Sequence, residues 1–171
     1  MPIEFDVKLE SRDMFRFNMY QTYSGFSGWS SILFAVALFG MAIYTYGDVT
    51  LTYTVMYVGI GILLLVYLPG TLWLRSKQSI KASPVFSNSL HYTVNEDGFT
   101  VTQGEASVVL AWKQIYKMVA TKHLVLVYSN RINAYVIPRK QLGDSYVPLA
   151  KLASEKLPKY RFRMKVTIKD V

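Results

Sequence analysis

The sequence predicts a membrane protein of the α + β class, in which a transmembrane helical hairpin precedes a small antiparallel β domain with a C-terminal helix. Three observations support this prediction. Two long apolar runs, at 29–46 and 51–74, contain no charged residue. The chain beyond them alternates between apolar and polar residues, as half-buried strands do. The basic residues all lie outside the apolar runs.

Each apolar run is long enough to cross a membrane. A hydrocarbon core of about 30 Å requires roughly 20 apolar residues in a helix. The alternative, a pair of core helices in a soluble protein, is disfavoured because such helices seldom extend this far without a charge. The short link at 47–50 makes the two helices antiparallel neighbours.

The charges predict the orientation of the hairpin. Residues 75–171 carry 16 Lys and Arg against 6 Asp and Glu, and residues 1–24 carry 3 against 4. Basic flanks stay on the cytoplasmic side of a membrane. We therefore expect a multi-pass protein with both termini in the cytoplasm. Aromatic rings settle at the two interfaces. The aromatic residues are Trp29 and Trp73 on the inner side and Tyr44, Tyr46 and Tyr53 on the outer side.

The chain divides into three predicted segments. Residues 1–24 hold an alternating strand at 3–9, which joins the β domain, and an amphipathic helix at 11–23. That helix either lies at the inner interface or packs on the cytoplasmic domain. Residues 25–75 form the hairpin, and residues 76–171 form the cytoplasmic β domain.

Small residues line one side of the first membrane helix. Ser27, Ser31 and Ala35 are spaced by four and would let another helix approach closely. We expect this ridge to face Gly59 and Gly61 on the second helix, and dimerisation through the ridge is the weaker alternative. No ionisable residue lies at mid-membrane depth, which argues against a proton relay, an ion path or a coupled transporter.

The β domain is predicted from its period-two pattern. Turn signals at 95–98 and 103–106 separate the first strands, and Trp112 closes an alternating strand, so that we expect it in the core. A short stretch surrounds Ile115, and a helix covers 144–157. The other strands are predicted at 89–94, 99–103, 123–128 and 134–138.

The two ends of the chain carry complementary strands. Residues 3–9 alternate with acidic side chains on the polar face, and residues 162–168 alternate with basic ones. Opposite charges across a strand pair stabilise the pair. We expect these two strands to be neighbours, and pairing of 3–9 with 90–94 is the alternative.

Over nearly its whole length, and most closely between residues 90 and 142, the chain resembles the YcxB-like family of bacterial membrane proteins. The resemblance rests on YTVNEDGFTV at 92–101, on a strand that ends in Leu110-Ala111-Trp112 before Ile115, and on Ile137-Pro138-Arg139-Lys140. It implies a bacterial inner membrane protein with a pleckstrin-homology-like domain, in which a strongly bent sheet is closed by a C-terminal helix. The family has no established reaction, so the resemblance implies no catalytic residue.

No enzymatic chemistry is expected. His91 and His123 lack metal-ligand spacing, and Glu96 and Asp97 lie in a turn, where such residues form local hydrogen bonds. The chain has no cysteine, and neither a phosphate-cradling glycine loop nor a nucleophile elbow occurs. We expect no cofactor and no metal.

Basic side chains are the strongest site signal. Each contributes about 1 kcal/mol near an anionic membrane surface, so we expect contact with lipid head groups or a protein partner. The alternative is a solvated basic face, and nucleic acid is not expected because no recognition motif accompanies the charge. The residues are Arg75, Lys77 and Lys81 beside the membrane, Arg139 and Lys140 after a strand, and Arg161, Arg163 and Lys165 in the C-terminal row.

Two functions follow as hypotheses. The first is a membrane-anchored, non-enzymatic binding module at the cytoplasmic face, with the bilayer and an unknown protein as partners. The second is an immunity protein that neutralises a membrane-acting toxin by binding it within the bilayer. A free ridge of small residues would favour the second.

Overall fold

The computed structural model describes residues 2–82 and 89–164 of the 171-residue chain. The chain forms two compact units. One, the β unit, consists of Met1–Met14 and Ser79–Val171, and the other, the helical unit, consists of Phe15–Gln78. The predicted α + β class is confirmed. The first division of the chain falls within a helix after Met14, whereas the sequence pattern predicts it after residue 24.

Three helices occur before the main β region. They are α1 at Ser11–Ser24, α2 at Phe26–Tyr44 and α3 at Leu51–Ala82. Among the described residues, α3 is long and apolar enough to cross a membrane by itself, and only 6% of its most apolar window is buried. Helix α2 meets the same criterion only together with α1, as a pair bent by 71°. The described chain therefore has one candidate membrane-spanning helix, or two if that bent pair forms a span.

The buried side of α2 differs from the predicted ridge. Its buried small residues are Gly28, Ala35 and Ala42, which recur every seven positions, while Ser31 is half-buried. A spacing of seven drifts by only about 20° around a helix, whereas a spacing of four drifts by roughly 40° per step. The heptad spacing therefore keeps a narrow seam on one side. The side chain of Ser27 lies outside the described residues.

Helix α3 contacts α2 at Gly61, which is one of the two predicted glycines, but not at Gly59. A Cβ atom at Gly61 would stand 2.9 Å from the ring of Phe39, whereas a Cβ atom at Gly59 would meet no atom within 4 Å. The expectation that Gly59 packs against α2 is therefore wrong, because the two positions lie about 200° apart on the helix. Near the other end of α3, the Asn18 amide donates a hydrogen bond of 3.0 Å to the buried Ser76 hydroxyl, which joins α1 to α3.

The first sheet of the β unit is an antiparallel meander. Its strands are β1 at Ile3–Val7, β2 at Leu90–Val94, β3 at Gly98–Gln103 and β4 at Ala106–Ala111, in the order β1-β2-β3-β4. Phe5 lies opposite Tyr92, and their rings stack with centroids 5.3 Å apart. Burial, with a smaller effect from Tyr135, raises the pKa of the Tyr92 hydroxyl. This aromatic pair anchors β1 in the core.

The second sheet contains the rest of the strands. They are β5 at Lys117–Ala120, β6 at Leu124–Tyr128, β7 at Ala134–Pro138 and β8 at Phe162–Arg163, in the order β7-β6-β5-β8. All pairs are antiparallel except β5 with β8, which is parallel. All five residues of β6 are buried, as expected for a central strand. Two helices, α4 at Arg139–Leu142 and α5 at Tyr146–Lys156, connect β7 with β8.

Trp112 lies in the core, as predicted, but in a 3-10 turn at Trp112–Gln114 rather than in a strand. Its ring meets Phe99 edge to face at 5.2 Å, and its Nε1 donates a hydrogen bond of 3.0 Å to the Asn95 carbonyl. Close by, a Cβ atom at Gly98 would collide with the Leu110 carbonyl. The β2–β3 turn is therefore fixed against the end of β4.

The predicted neighbour of the N-terminal strand is wrong. Strand β1 pairs with β2, the alternative partner, and β8 lies in the other sheet. The acidic face of β1 has a hydrogen-bond partner on β2, where His91 Nδ1 is 2.8 Å from Asp6 Oδ1. The stacking of Phe5 on Tyr92 adds an apolar contact that charge complementarity alone does not supply. The end of the predicted C-terminal strand, from Lys165 onward, lies outside the described residues.

Candidate functional site

A cavity of about 230 Å³ opens at the edge of the second sheet. It is lined by Tyr116 and Lys117 from the start of β5, and by Tyr160, Arg161 and Arg163 at β8. We call it the basic cleft. It brings together two segments that are more than forty positions apart in the sequence.

The parallel pairing of β5 with β8 builds the basic cleft. Met118 lies opposite Phe162, and Val119 lies opposite Arg163. The Met118 amide donates to the Arg161 carbonyl at 2.8 Å, which fixes the register. Because neighbouring parallel strands begin at the same edge of a sheet, the residues that begin β5 and precede β8 meet there.

A turn after α5 leads the chain into β8 at this edge of the sheet. The amides of Arg161 and Phe162 both donate to the Pro158 carbonyl, at 2.9 and 3.2 Å. Pro158 cannot continue a helix, and α5 ends at Lys156. Residues at 160–163 are therefore held by backbone bonds on both sides of the turn.

Two of the three cations in the basic cleft are tethered by neutral groups. The Arg161 guanidinium donates to the Ile115 carbonyl at 3.4 Å and lies 5.5 Å from the Tyr160 ring. The Lys117 ammonium lies 4.3 Å above the ring of Tyr128, its cross-strand neighbour. Contacts with carbonyls and aromatic faces orient a cation without cancelling its charge.

No described carboxylate forms an ion pair with Lys117, Arg161 or Arg163. Three positive charges therefore converge on one small cavity, and a cleft lined by charges of one sign raises the local concentration of oppositely charged ions. Arg and Lys side chains only donate hydrogen bonds, and the two tyrosine hydroxyls can also donate. The arrangement is suited to holding an anion.

The structure brings only part of the predicted basic set into this cleft. Arg161 and Arg163 line it, whereas Lys165 lies outside the described residues. Arg139 is half-buried on α4 with its guanidinium 4.1 Å from the Tyr146 ring, and Lys140 is exposed beside it. Neither of these two lines the cleft.

The other predicted cations belong to the helical unit or to its junction. Arg75 and Lys77 are exposed on α3, and the Lys77 ammonium lies 4.2 Å above the Trp73 ring. The side chain of Lys81 lies outside the described residues. The basic residues are therefore dispersed over several elements rather than gathered into a single site.

Sequence reasoning missed Tyr116, Lys117 and Tyr160 as site residues. Tyr116 and Lys117 follow the predicted Ile115 stretch, but nothing local indicates that this stretch pairs with a strand near the C-terminus. The alternation at 162–168 is the available signal, but it led to the strand at 3–9 as the expected neighbour instead of β5.

Comparison with known families identifies the central part of the β unit. Residues 94–153 match the model of the family described as YcxB-like protein. The match extends from the last residue of β2 into α5, and it includes the β5 side of the basic cleft but not the β8 side. No curated protein and no solved structure matches the chain. The resemblance inferred from the sequence is confirmed for residues 94–153, which are similar to this family.

Proposed function

We propose that the protein is a membrane-anchored, non-enzymatic binding module at the cytoplasmic face of a bacterial inner membrane. Helices α2 and α3 form its membrane-spanning hairpin, residues 1–24 and 76–171 lie on the cytoplasmic side, and the β unit presents the binding surface. The observation that carries the proposal is the exposure of α3, of which only 6% is buried in its most apolar window.

The length of α3 suits a bilayer. At about 1.5 Å per residue, its uncharged part at 51–74 extends over roughly 36 Å, against a hydrocarbon core of about 30 Å. Ile62, Leu63 and Val66 are exposed in the middle of this stretch. Apolar side chains in such numbers on one helix need a cover, and lipid supplies it on all sides.

The residues at the helix ends support the same assignment. Trp73 is about half exposed, and the Lys77 ammonium lies over its ring, which is a suitable arrangement at an interface where amphipathic side chains settle. Tyr44, Tyr46 and Tyr53 are exposed around the link between α2 and α3. These aromatic residues would mark the two surfaces of the bilayer.

The order of elements supports a pleckstrin-homology-like fold for the β unit. A four-stranded meander is followed by a three-stranded one and then by α5, which buries Leu149, Ala150 and Ala153. Such domains consist of a strongly bent sheet closed by a C-terminal helix. The YcxB-like match covers most of these strands and most of the helix.

Alkaline carbonate extraction of membranes tests the anchor. The full chain should remain in the membrane pellet. Replacing Ile62 and Val66 with lysine should release or degrade the protein, because each charge at the centre of a membrane helix costs about 2.5–3.5 kcal/mol. The matched control replaces Val108 and Val109, two exposed valines of β4, with lysine and should stay in the pellet. Wild-type protein in the soluble fraction would refute the anchor.

The open surface at Gly59 favours immunity as a second candidate function. No atom would contact a Cβ atom there, so that a helix of another protein could approach α3 closely. We would expect a neighbouring gene to encode a membrane-acting toxin, and co-expression of this chain to relieve its toxicity. Gly59→Leu should then abolish relief while Gly70→Leu, also at an open position, should not.

A further inference from the structure

We propose that the basic cleft binds a phosphate group, carried either by a small soluble molecule or by a lipid head group. The lipid source rests on the proposed function, because it requires the β unit to be held at a membrane. The soluble source does not require this. In both, the ligand chemistry is the same and the contacts are made by Lys117, Arg161 and Arg163.

The donors of the basic cleft match a phosphate better than a carboxylate. Each guanidinium offers five N–H donors in a planar fork and each ammonium offers three. A phosphate presents more acceptor oxygens than a carboxylate and carries more negative charge as a monoester, and arginine binds it through paired hydrogen bonds. A carboxylate between three cations would leave most of the donors without a partner.

The basic cleft is partly organised before a ligand arrives. The Ile115 carbonyl holds one nitrogen of Arg161, and the Tyr128 ring supports Lys117. Side chains that are already placed lose less conformational entropy on binding. Neither tether is a carboxylate, so the positive charge remains available to an anion.

The size of the cavity limits the ligand. A volume of about 230 Å³ is below the roughly 300–1,000 Å³ typical of pockets for drug-sized ligands. It has room for a phosphate with a few carbon atoms, such as a glycerol phosphate group. Tyr116 and Tyr160 also line the cavity and are both exposed, so that they extend the polar surface offered to the same ligand.

Calorimetric titration of the full chain in an uncharged detergent tests the proposal. The probes are inorganic phosphate, glycerol 3-phosphate and short-chain phosphatidylglycerol, with acetate as the carboxylate probe. We expect saturable binding of at least one phosphate compound and weaker binding of acetate. Binding of the two soluble compounds indicates a soluble source, and binding of the phospholipid alone indicates a lipid source.

Charge variants locate the site. Arg161→Gln with Arg163→Gln should weaken binding at least about tenfold, because each removes charge-assisted hydrogen bonds. The matched control, Lys122→Gln with Lys151→Gln, removes the same charge from exposed positions between β5 and β6 and on α5 and should change affinity less than about twofold. If the double variant melts earlier than the wild type, Arg163→Gln alone is used, because its side chain is exposed.

The proposal is overturned if no phosphate compound binds at low salt, if acetate binds as tightly as phosphate, or if the control variant loses as much affinity as the cleft variant. The last result would indicate a diffuse basic surface. These outcomes are independent of the carbonate extraction. Retention in the membrane without phosphate binding rejects only the cleft, and phosphate binding by a protein found in the soluble fraction rejects only the anchor and the lipid source.

Discussion

The two units of the molecule differ in how far they bury the same kinds of apolar side chain. In β6 of the β unit, Val125, Leu126 and Val127 are completely buried. In α3 of the helical unit, Ile62, Leu63 and Val66 are exposed over half or more of their surface. Burying apolar surface is the main favourable term in folding in water. The β unit therefore buries the apolar side chains of its central strand, whereas α3 leaves comparable side chains exposed.

The difference also concerns the backbone. A helix satisfies its own amide and carbonyl groups, and so it can stand in lipid without neighbours. A strand needs a partner for these groups, and β1 and β8 find theirs far away in the sequence. The backbone of α3 therefore needs no neighbouring element to satisfy its hydrogen bonds, whereas the backbone of each strand in the β unit needs a paired strand.

The tryptophans provide the largest expected contrast. Trp112 is 6% exposed and Trp73 is 49% exposed. Trp112→Ala should reduce the free energy of unfolding by about 3–5 kcal/mol, since it leaves a cavity and removes the bond to the Asn95 carbonyl. Trp73→Ala should reduce it by less than about 1 kcal/mol. Denaturant unfolding of the full chain in detergent, followed by near-ultraviolet circular dichroism, measures both. Equal losses would contradict the comparison.

Substitutions at two glycines, one in each unit, should give stability effects of intermediate size. Gly98→Ala would drive a Cβ atom into the Leu110 carbonyl, and such overpacking costs about 1–3 kcal/mol. Gly40→Ala in α2 meets nothing within 4 Å and should be neutral or stabilising by up to about 1 kcal/mol, because alanine is the better helix former. A thermal melt of each variant distinguishes the two. A stable Gly98→Ala protein would show that the β2–β3 turn is not fixed as described.

Helix packing within the helical unit is tested at two neighbouring glycines. Gly61→Leu should disturb the contact with Phe39 and lower the melting temperature, whereas Gly59→Leu adds the same side chain at an open position and should not. The expected difference is about 1–3 kcal/mol. A loss at Gly59 instead of Gly61 would contradict the contact between Gly61 and Phe39.

The smallest effect is expected at the surface of the first sheet. Asp6→Asn removes the ion pair with His91, whose atoms are 2.8 Å apart but well exposed. Exposed ion pairs contribute about 0–1 kcal/mol. Glu4→Gln, on the same exposed side of β1 and opposite Thr93, is the matched control. Urea midpoints within about 1 kcal/mol of the wild type are expected for both, and a large loss for Asp6→Asn alone would mean that charge, rather than the Phe5–Tyr92 contact, selects the partner of β1.

The sequence was sufficient to predict what depends on local periodicity. The alternation at 3–9 predicted β1, the apolar run at 123–128 predicted β6 as a central strand, and the apolar run at 51–74 predicted most of α3. Partners were harder to predict. Each charge pair across strands contributes only about 0.2–1 kcal/mol of stability. The charges at 162–168 were therefore a weaker guide to the partner of β1 than the ring contact between Phe5 and Tyr92.

The basic cleft could not be predicted from local sequence patterns. Its two halves, near Lys117 and near Arg161, meet through a parallel pair of which the described part of β8 is two residues long. The row at 161–165 drew attention to Arg161 and Arg163, which line this cleft. The tyrosines beside them could be recognised only once the register was known.

A reporter enzyme that is active only outside the cytoplasm tests the central claim most directly. It is fused to the full chain after Val171, and in a second protein it is fused after Asp48, in the link between α2 and α3. The account predicts activity for the fusion after Asp48 and none for the fusion after Val171, with both proteins present at equal levels in the membrane fraction. Activity after Val171, or inactivity of both fusions in the membrane fraction, would contradict a hairpin with its β unit in the cytoplasm.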